Sequence, residues 1–193
     1  MATRLHARAA RALVRAAGHG RIAVVDLSRA GAPHVASSHR QASDVPTPDA
    51  PALAGGLDLP YLVYGTLRPG GSNAALVERH GGVHAGSLTL GGYAMYEAPA
   101  GYPYIVPRST AGAITLDVLV PPAGAGAQES LRADLDTLEG FEVGGRLNHY
   151  ERVAVSFPDP ATGSVRWGWL YVAGPGALID GLAQIESGDW FAR

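Results

Sequence analysis

The stretch Tyr61-Leu62-Val63-Tyr64-Gly65-Thr66-Leu67-Arg68-Pro69-Gly70-Gly71-Ser72 decides how the chain is read. Tyr61 to Tyr64 is short, apolar and rich in aromatic and β-branched residues, which predicts a strand. Gly65 to Gly71 is a turn-rich loop. Residues 73–80 predict a helix with Ser72 as its N-cap, stopped by Gly81 and Gly82. The spaced glycines ending at Ser72 invite a phosphate-loop reading, but Gly71 stands where such a loop needs lysine. Without that charge the β- and γ-phosphates lose their counter-ion, so nucleotide hydrolysis is set aside. What survives is geometric. Backbone N–H groups of a tight loop at a helix start converge on a small volume that suits a carboxylate or a developing oxyanion. An ordinary Gly/Pro turn explains the same letters, and the local text leaves both readings open.

Outward from this stretch, residues 84–96 and 112–120 alternate as strands do. Residues 128–138 predict a helix, with Leu131, Leu135 and Leu138 on one face and Gly140 where a helix-ending glycine belongs. Residues 150–157 and 165–172 read as two strands, and the Pro158-Asp-Pro-Ala-Thr-Gly163 turn between them predicts an antiparallel hairpin. Upstream, residues 2–17 predict a helix that stacks Arg4, Arg8, Arg11 and Arg15 on one face. A short strand over 21–27 and a Pro/Ser/Ala-rich linker over 30–57 follow. The expected organisation is an extension over 1–57 and a domain over 58–193.

Composition narrows the chemistry. There is no cysteine, which removes disulfides, cysteine-ligated zinc and a thiol nucleophile. There is no lysine either: all 15 basic residues are Arg, which removes Schiff-base chemistry. The lysine gap, with 26 Gly and 14 Pro, points to a GC-rich coding sequence and a bacterial source. Residues 1–43 carry seven Arg against one acid, giving +6, whereas residues 44–193 come to −8. The larger, acidic part argues against a nucleic-acid partner. No apolar run approaches the roughly 18 residues of a membrane span. Arginines interrupt every candidate signal core, so a cytoplasmic location is expected. The basic extension is the candidate for association between copies of the chain.

Glu139, in Leu135-Asp136-Thr137-Leu138-Glu139-Gly140-Phe141, is the candidate acid/base. A carboxylate in the last turn of a helix faces the negative end of the dipole, and Leu138 and Phe141 adjoin it. Both influences raise its pKa toward the range a general base needs near neutral pH. A solvated Glu at a frayed helix end is the plainer reading of the same text. Asp134 and Asp136 are read as solvated. His80 and His84 are four apart, but Gly81 and Gly82 break the helix that would align them on a metal, so no metal and no cofactor is expected. His149 adjoins Tyr150, which leaves open a place at a pocket border, but like the other histidines it is read first as a surface residue. Tyr93, Tyr96, Tyr102, Tyr104 and Phe141 are read as core or pocket wall.

Taken in order, these pieces resemble the gamma-glutamyl cyclotransferase-like family. Tyr64-Gly65-Thr66-Leu67-Arg68 after a strand is similar to its signature loop. Leu135-Asp136-x-x-Glu139-Gly140, with Tyr150-x-Arg152 opening a later strand, is similar to its second signature, and Ser187-Gly188-Asp189-Trp190 to the tail of bacterial members. The resemblance implies an α+β fold, a small mixed β-sheet or barrel, closed or nearly so, with flanking helices. It implies a cofactor-free enzyme that cyclises a small-molecule γ-glutamyl amide to 5-oxoproline and releases an amine. Glu139 would be catalytic, with Tyr64, Gly65, Thr66, Leu67 and Tyr150 at the substrate. The alternative is a non-catalytic binding or scaffold member acting through the N-terminal helix. Two features depart from the shortest members. Residues 141–149 form a longer insert, expected to border the leaving-group side, and residues 1–57 have no counterpart.

Overall fold

The computed structural model describes residues 55–108 and 112–193. The helix expected over 2–17, the strand over 21–27 and nearly all of the linker over 30–57 lie outside the described residues. In chain order the elements are β1 (Tyr61–Val63), α1 (Ala74–Arg79), β2 (Val83–Gly91), β3 (Tyr93–Glu97), β4 (Pro103–Pro107) and β5 (Ala113–Val120). Then come α2 (Ala125–Leu138), β6 (Tyr150–Pro158), β7 (Val165–Ala173), β8 (Gln184–Ile185) and a 3₁₀ turn, Trp190–Ala192. No helix among the described residues is long and apolar enough to cross a membrane.

Two sheets form. One has five strands in the order β2-β5-β1-β7-β6, and the other has three in the order β4-β3-β8. Strand β1 is antiparallel to β5 and parallel to β7, so the larger sheet is mixed. The predicted hairpin is present, with Tyr150 opposite Ala173 and Pro158 opposite Val165. The fold is α+β as the sequence implied, but the sheet is not closed into a barrel. The reason lies at a corner. The single strand expected over 84–96 breaks at Gly92, whose φ of 87° suits glycine, and the chain leaves one sheet for the other. Gly112 returns it at the same corner. A Cβ there would meet the Tyr93 carbonyl oxygen at 2.2 Å. With the ribbon folded over at these glycines, β2 and β6 are left as the edges of an open sheet.

Side-chain alternation then builds two layers of core. Leu62, Val153, Val155, Leu170 and Val172 face Tyr93, Met95, Ile105 and Ile185 of the smaller sheet. Tyr61, Val63, Ala154, Trp169 and Tyr171 face the helices, through Val77 of α1 and Leu131 and Leu135 of α2. Fully burying a leucine is worth about 1.5–3 kcal/mol, so Leu131 and Leu135 anchor α2 and fix where its end falls. Leu138, expected on the same face, is 39% exposed because the helix ends beneath it. Arg132 of α2 reaches back across Trp169, donating to Tyr61 Oη and to the carbonyls of Gly55 and Gly56. These bonds pin the start of the described chain.

Candidate active site

The loop that opened the sequence reading leaves the end of β1. Tyr64 donates its hydroxyl to the Tyr171 carbonyl at 2.9 Å, which ties the loop to β7. Ser72 does not cap α1. Asn73 takes the N-cap position without capping, because its side-chain amide donates to Thr66 Oγ1 at 2.9 Å while its backbone N–H donates to the Thr66 carbonyl. Helix α1 has only six residues, so little dipole backs the loop. Any anion-binding capacity rests on the loop amides themselves. Among the described residues the N–H groups of Gly65, Thr66 and Leu67 find no backbone acceptor. Arg68, by contrast, turns away and pairs with Asp117 and Asp189.

Gly65 has a steric role of its own. A Cβ at this position would stand 2.5 Å from Cγ of Pro103, so the loop backbone lies flat on the β4 proline. Gly65→Ala is therefore expected to destabilise the fold by about 1–3 kcal/mol through overpacking. Urea unfolding measures this directly, and an unchanged midpoint would mean that Pro103 yields freely.

Helix α2 delivers Glu139. It is the C-cap residue, followed by Gly140 at φ 60° in the left-handed region that ends a helix. The chain then closes on itself. His149 N–H donates to the Gly140 carbonyl at 3.1 Å and Tyr150 N–H to the Glu139 carbonyl at 3.2 Å. Within the intervening insert, Asn148 spans the gap by accepting from Glu142 N–H and donating to the Glu142 carbonyl. Helix end and β6 are thus locked side by side. Among the described residues none hydrogen-bonds to the Glu139 carboxylate. Burial, with the nearby Asp136 carboxylate, pushes its pKa up to about 8. The raised pKa agrees in direction with the sequence expectation, but burial rather than the helix end leads it.

Glu139, Tyr64, Gly65, Thr66, Leu67 and Tyr150 all line one cavity of about 250 Å³. Tyr150 donates its hydroxyl to the Pro103 carbonyl at 2.8 Å, so it braces β4 from inside the cavity. Tyr102 and His149 line the same cavity. His149 is therefore not the surface residue that its sequence context suggested. Its Nε2 lies 2.7 Å from the Tyr104 hydroxyl and 3.0 Å from that of Tyr102, and burial lowers its pKa, so it is neutral at physiological pH.

The other candidates go elsewhere. Asp136 is not solvated. It accepts from the Tyr171 hydroxyl at 2.6 Å and stands 3.5 Å from buried Arg152, which lies over Phe141 and Trp169. Asp134 pairs with Arg79 and His80 at the surface. His80 is thereby engaged away from the cavity, and no cluster that could hold a metal ion occurs among the described residues.

The geometry meets a match in sequence. Residues 61–192 fit the profile of the family described as gamma-glutamyl cyclotransferase, AIG2-like. The chain belongs to this family. Among solved structures, an AIG2-like protein from Mus musculus is 17% identical with a TM-score of 0.51, covering 66% of this chain and 86% of that one. The Escherichia coli protein YtfP is 26% identical with a TM-score of 0.49, covering 68% of this chain and 96% of its own. No curated protein matches the sequence. The AIG2-like fold thus accounts for the region that carries both signatures, and membership suggests cyclotransferase-type chemistry.

Proposed function

We propose that the chain is a γ-glutamyl cyclotransferase that converts a γ-glutamyl amide to 5-oxoproline and a free amine. The observation that carries the reading is Glu139: a carboxyl with no side-chain hydrogen-bond partner among the described residues, raised to about 8, in a cavity shared with the Gly65–Leu67 amides. In this reaction the substrate's own α-amine attacks its γ-carbonyl carbon. A C–N bond forms within the glutamyl group and the original amide C–N bond breaks. Glu139 accepts a proton from the α-ammonium, freeing the attacking lone pair, and hands it to the departing nitrogen. No enzyme nucleophile is needed, in keeping with a chain that has neither cysteine nor lysine. The task left to the protein is to hold the glutamyl chain bent into attack geometry, which can be worth about 7–11 kcal/mol. The loop amides serve either the α-carboxylate or the γ-carbonyl oxygen as it gains charge.

Incubation with γ-glutamyl amines and mass detection of the product tests this. 5-Oxoproline in stoichiometry with amine is expected. Free glutamate would show a hydrolase instead, and no product from a broad panel would favour the non-catalytic alternative. The pH profile adds a second check. Glu139 must be ionised to accept a proton, so kcat/KM is expected to rise through pH 8 and level off on the alkaline side. A rate limb centred near pH 4–5 would mean that the base is not this carboxyl.

A further inference from the structure

On the function proposed above, the zwitterionic glutamyl half of the substrate engages the Gly65–Leu67 amides and Glu139. Of the remaining lining, Leu62 and Val63 lead into the loop from β1, Tyr171 is tied to Tyr64 and Asn73 to Thr66, which leaves Tyr102, Pro103, Leu138 and His149, with Tyr150, for the amine half. Among the described residues, Glu139 is the one carboxyl of this lining and no Arg joins it. A second ammonium or a second carboxylate on the amine half would meet no opposite charge there, and a desolvated charge without a partner is costly.

What the wall does offer is a donor. His149 Nε2 and the hydroxyls of Tyr102 and Tyr104 form a triangle with sides of 2.7, 3.0 and 3.3 Å. A neutral imidazole nitrogen accepts one proton or donates one. If it accepts, the shortest contact gives it the proton of Tyr104, and the proton of Tyr102 is in excess. If it donates, its proton goes to the nearer Tyr104 oxygen, and the imidazole then takes up neither tyrosine proton, so that of Tyr102 is again in excess. The 3.3 Å hydroxyl separation is long for an O–H···O bond, so the triangle does not absorb it. Tyr104 is buried, whereas Tyr102 is half-buried at the cavity wall. The surplus O–H is therefore presented where a ligand would lie.

We propose that Tyr102, oriented by His149 and Tyr104, determines specificity by donating to an uncharged acceptor oxygen on the amine half. The favoured substrates are then γ-glutamyl amides of small, uncharged amines that carry an ether, hydroxyl or carbonyl oxygen. A site built around such a donor discriminates against analogues that leave it unpaired.

Three amides of matched length test this: those of 3-methoxypropylamine, pentylamine and 1,4-diaminobutane. Turnover is read as 5-oxoproline from the γ-glutamyl amides. Binding is read by calorimetry with the glutaryl amides, which lack the α-amine and cannot cyclise. The wild-type chain is expected to rank them in the order given, with about tenfold or more between the first and the last. In Tyr102→Phe the ratio of the methoxypropyl to the pentyl compound should fall close to one. In His149→Phe, which removes the orienting nitrogen, the ratio should fall part of the way. Equal preference for the diaminobutane amide, or an unchanged ratio in Tyr102→Phe, would overturn the proposal while leaving cyclisation intact. Ranked binding of the glutaryl amides without any 5-oxoproline would uphold this specificity and overturn the reaction instead.

Discussion

Glu139→Gln is expected to lower turnover of a γ-glutamyl amide by about 10²–10⁴-fold, the usual contribution of a positioned general acid–base. Gln has the same shape, so the α2 end, the Gly140 turn and the bonds to His149 and Tyr150 should persist. The loss should fall on kcat more than on KM, because the amide still fills the carboxyl's place in the cavity while the proton transfer is gone. Near wild-type turnover would remove Glu139 from the mechanism.

Stability separates this outcome from simple misfolding. Burial raises the folded-state pKa of Glu139 from 4.5 to about 8, the reverse of the usual carboxylate case. Below pH 4.5 the group is protonated in both states and contributes nothing. Between about 4.5 and 8 the unfolded chain releases the proton that the folded chain keeps, so this group lowers stability progressively as pH rises. Above 8 the full penalty stands. Glu139→Gln removes it, so the variant should be inactive and yet more stable than the wild type at pH 8. Parallel urea titrations at pH 4.5 and pH 8 should show the two proteins diverging only at the higher pH. A variant less stable at both would point to a structural role.

The parts of this site that were legible in the sequence are those whose cause is local. Tyr61–Tyr64 is a strand because of its own residues, Gly140 ends a helix by its own φ, and the Pro158–Gly163 turn pairs neighbouring strands. The rest depends on partners far along the chain. Strand β4 begins and ends in proline, which reads as a strand breaker, and it forms because β3 pairs with it along its whole length. That pairing sets Tyr104 opposite Tyr96 and brings Tyr102 and Tyr104 to His149, some 45 residues later. His149 could have been found from one signal, its place at the end of an insert that must close onto Gly140. Asp136 looked solvated because its partners, Tyr171 and Arg152, lie on two other strands. The open sheet was hidden for a related reason. Gly91-Gly92 could mark a bulge as easily as a corner until Gly112 is seen against Tyr93.

Arg68 is the clearest case of a residue whose weight only the fold reveals, and replacing it by Met is expected to cost about 3–5 kcal/mol of stability. Its Nε donates to Asp117 on β5 and its Nη1 to Asp189 in the C-terminal turn, each at 2.6 Å, while its guanidinium lies 4.9 Å from the centre of the Phe191 ring. The side chains of Arg68 and Asp117 are each 9% exposed. Salt therefore screens the pair poorly, and its loss strands a buried carboxylate that keeps Ser87 as a donor. The net worth of such a pair is smaller than the damage done by breaking it, since most of the loss is desolvation of the partner left behind. This difference fixes the decisive comparison. Arg68→Met combined with Asp117→Asn removes the stranded charge, so the double variant should be more stable than Arg68→Met alone. The coupling should be well above the few tenths of a kcal/mol by which independent sites deviate from additivity. Asp189, at 27% exposure, is partly solvated, and Asp189→Asn should cost less than either. Guanidinium unfolding followed by tryptophan fluorescence supplies the four values, for Arg68→Met, Asp117→Asn, their double variant and Asp189→Asn. If Arg68→Met unfolds within about 1 kcal/mol of the wild type, the loop is held by its own turns and the C-terminal Asp189-Trp190-Phe191 tail is packing only.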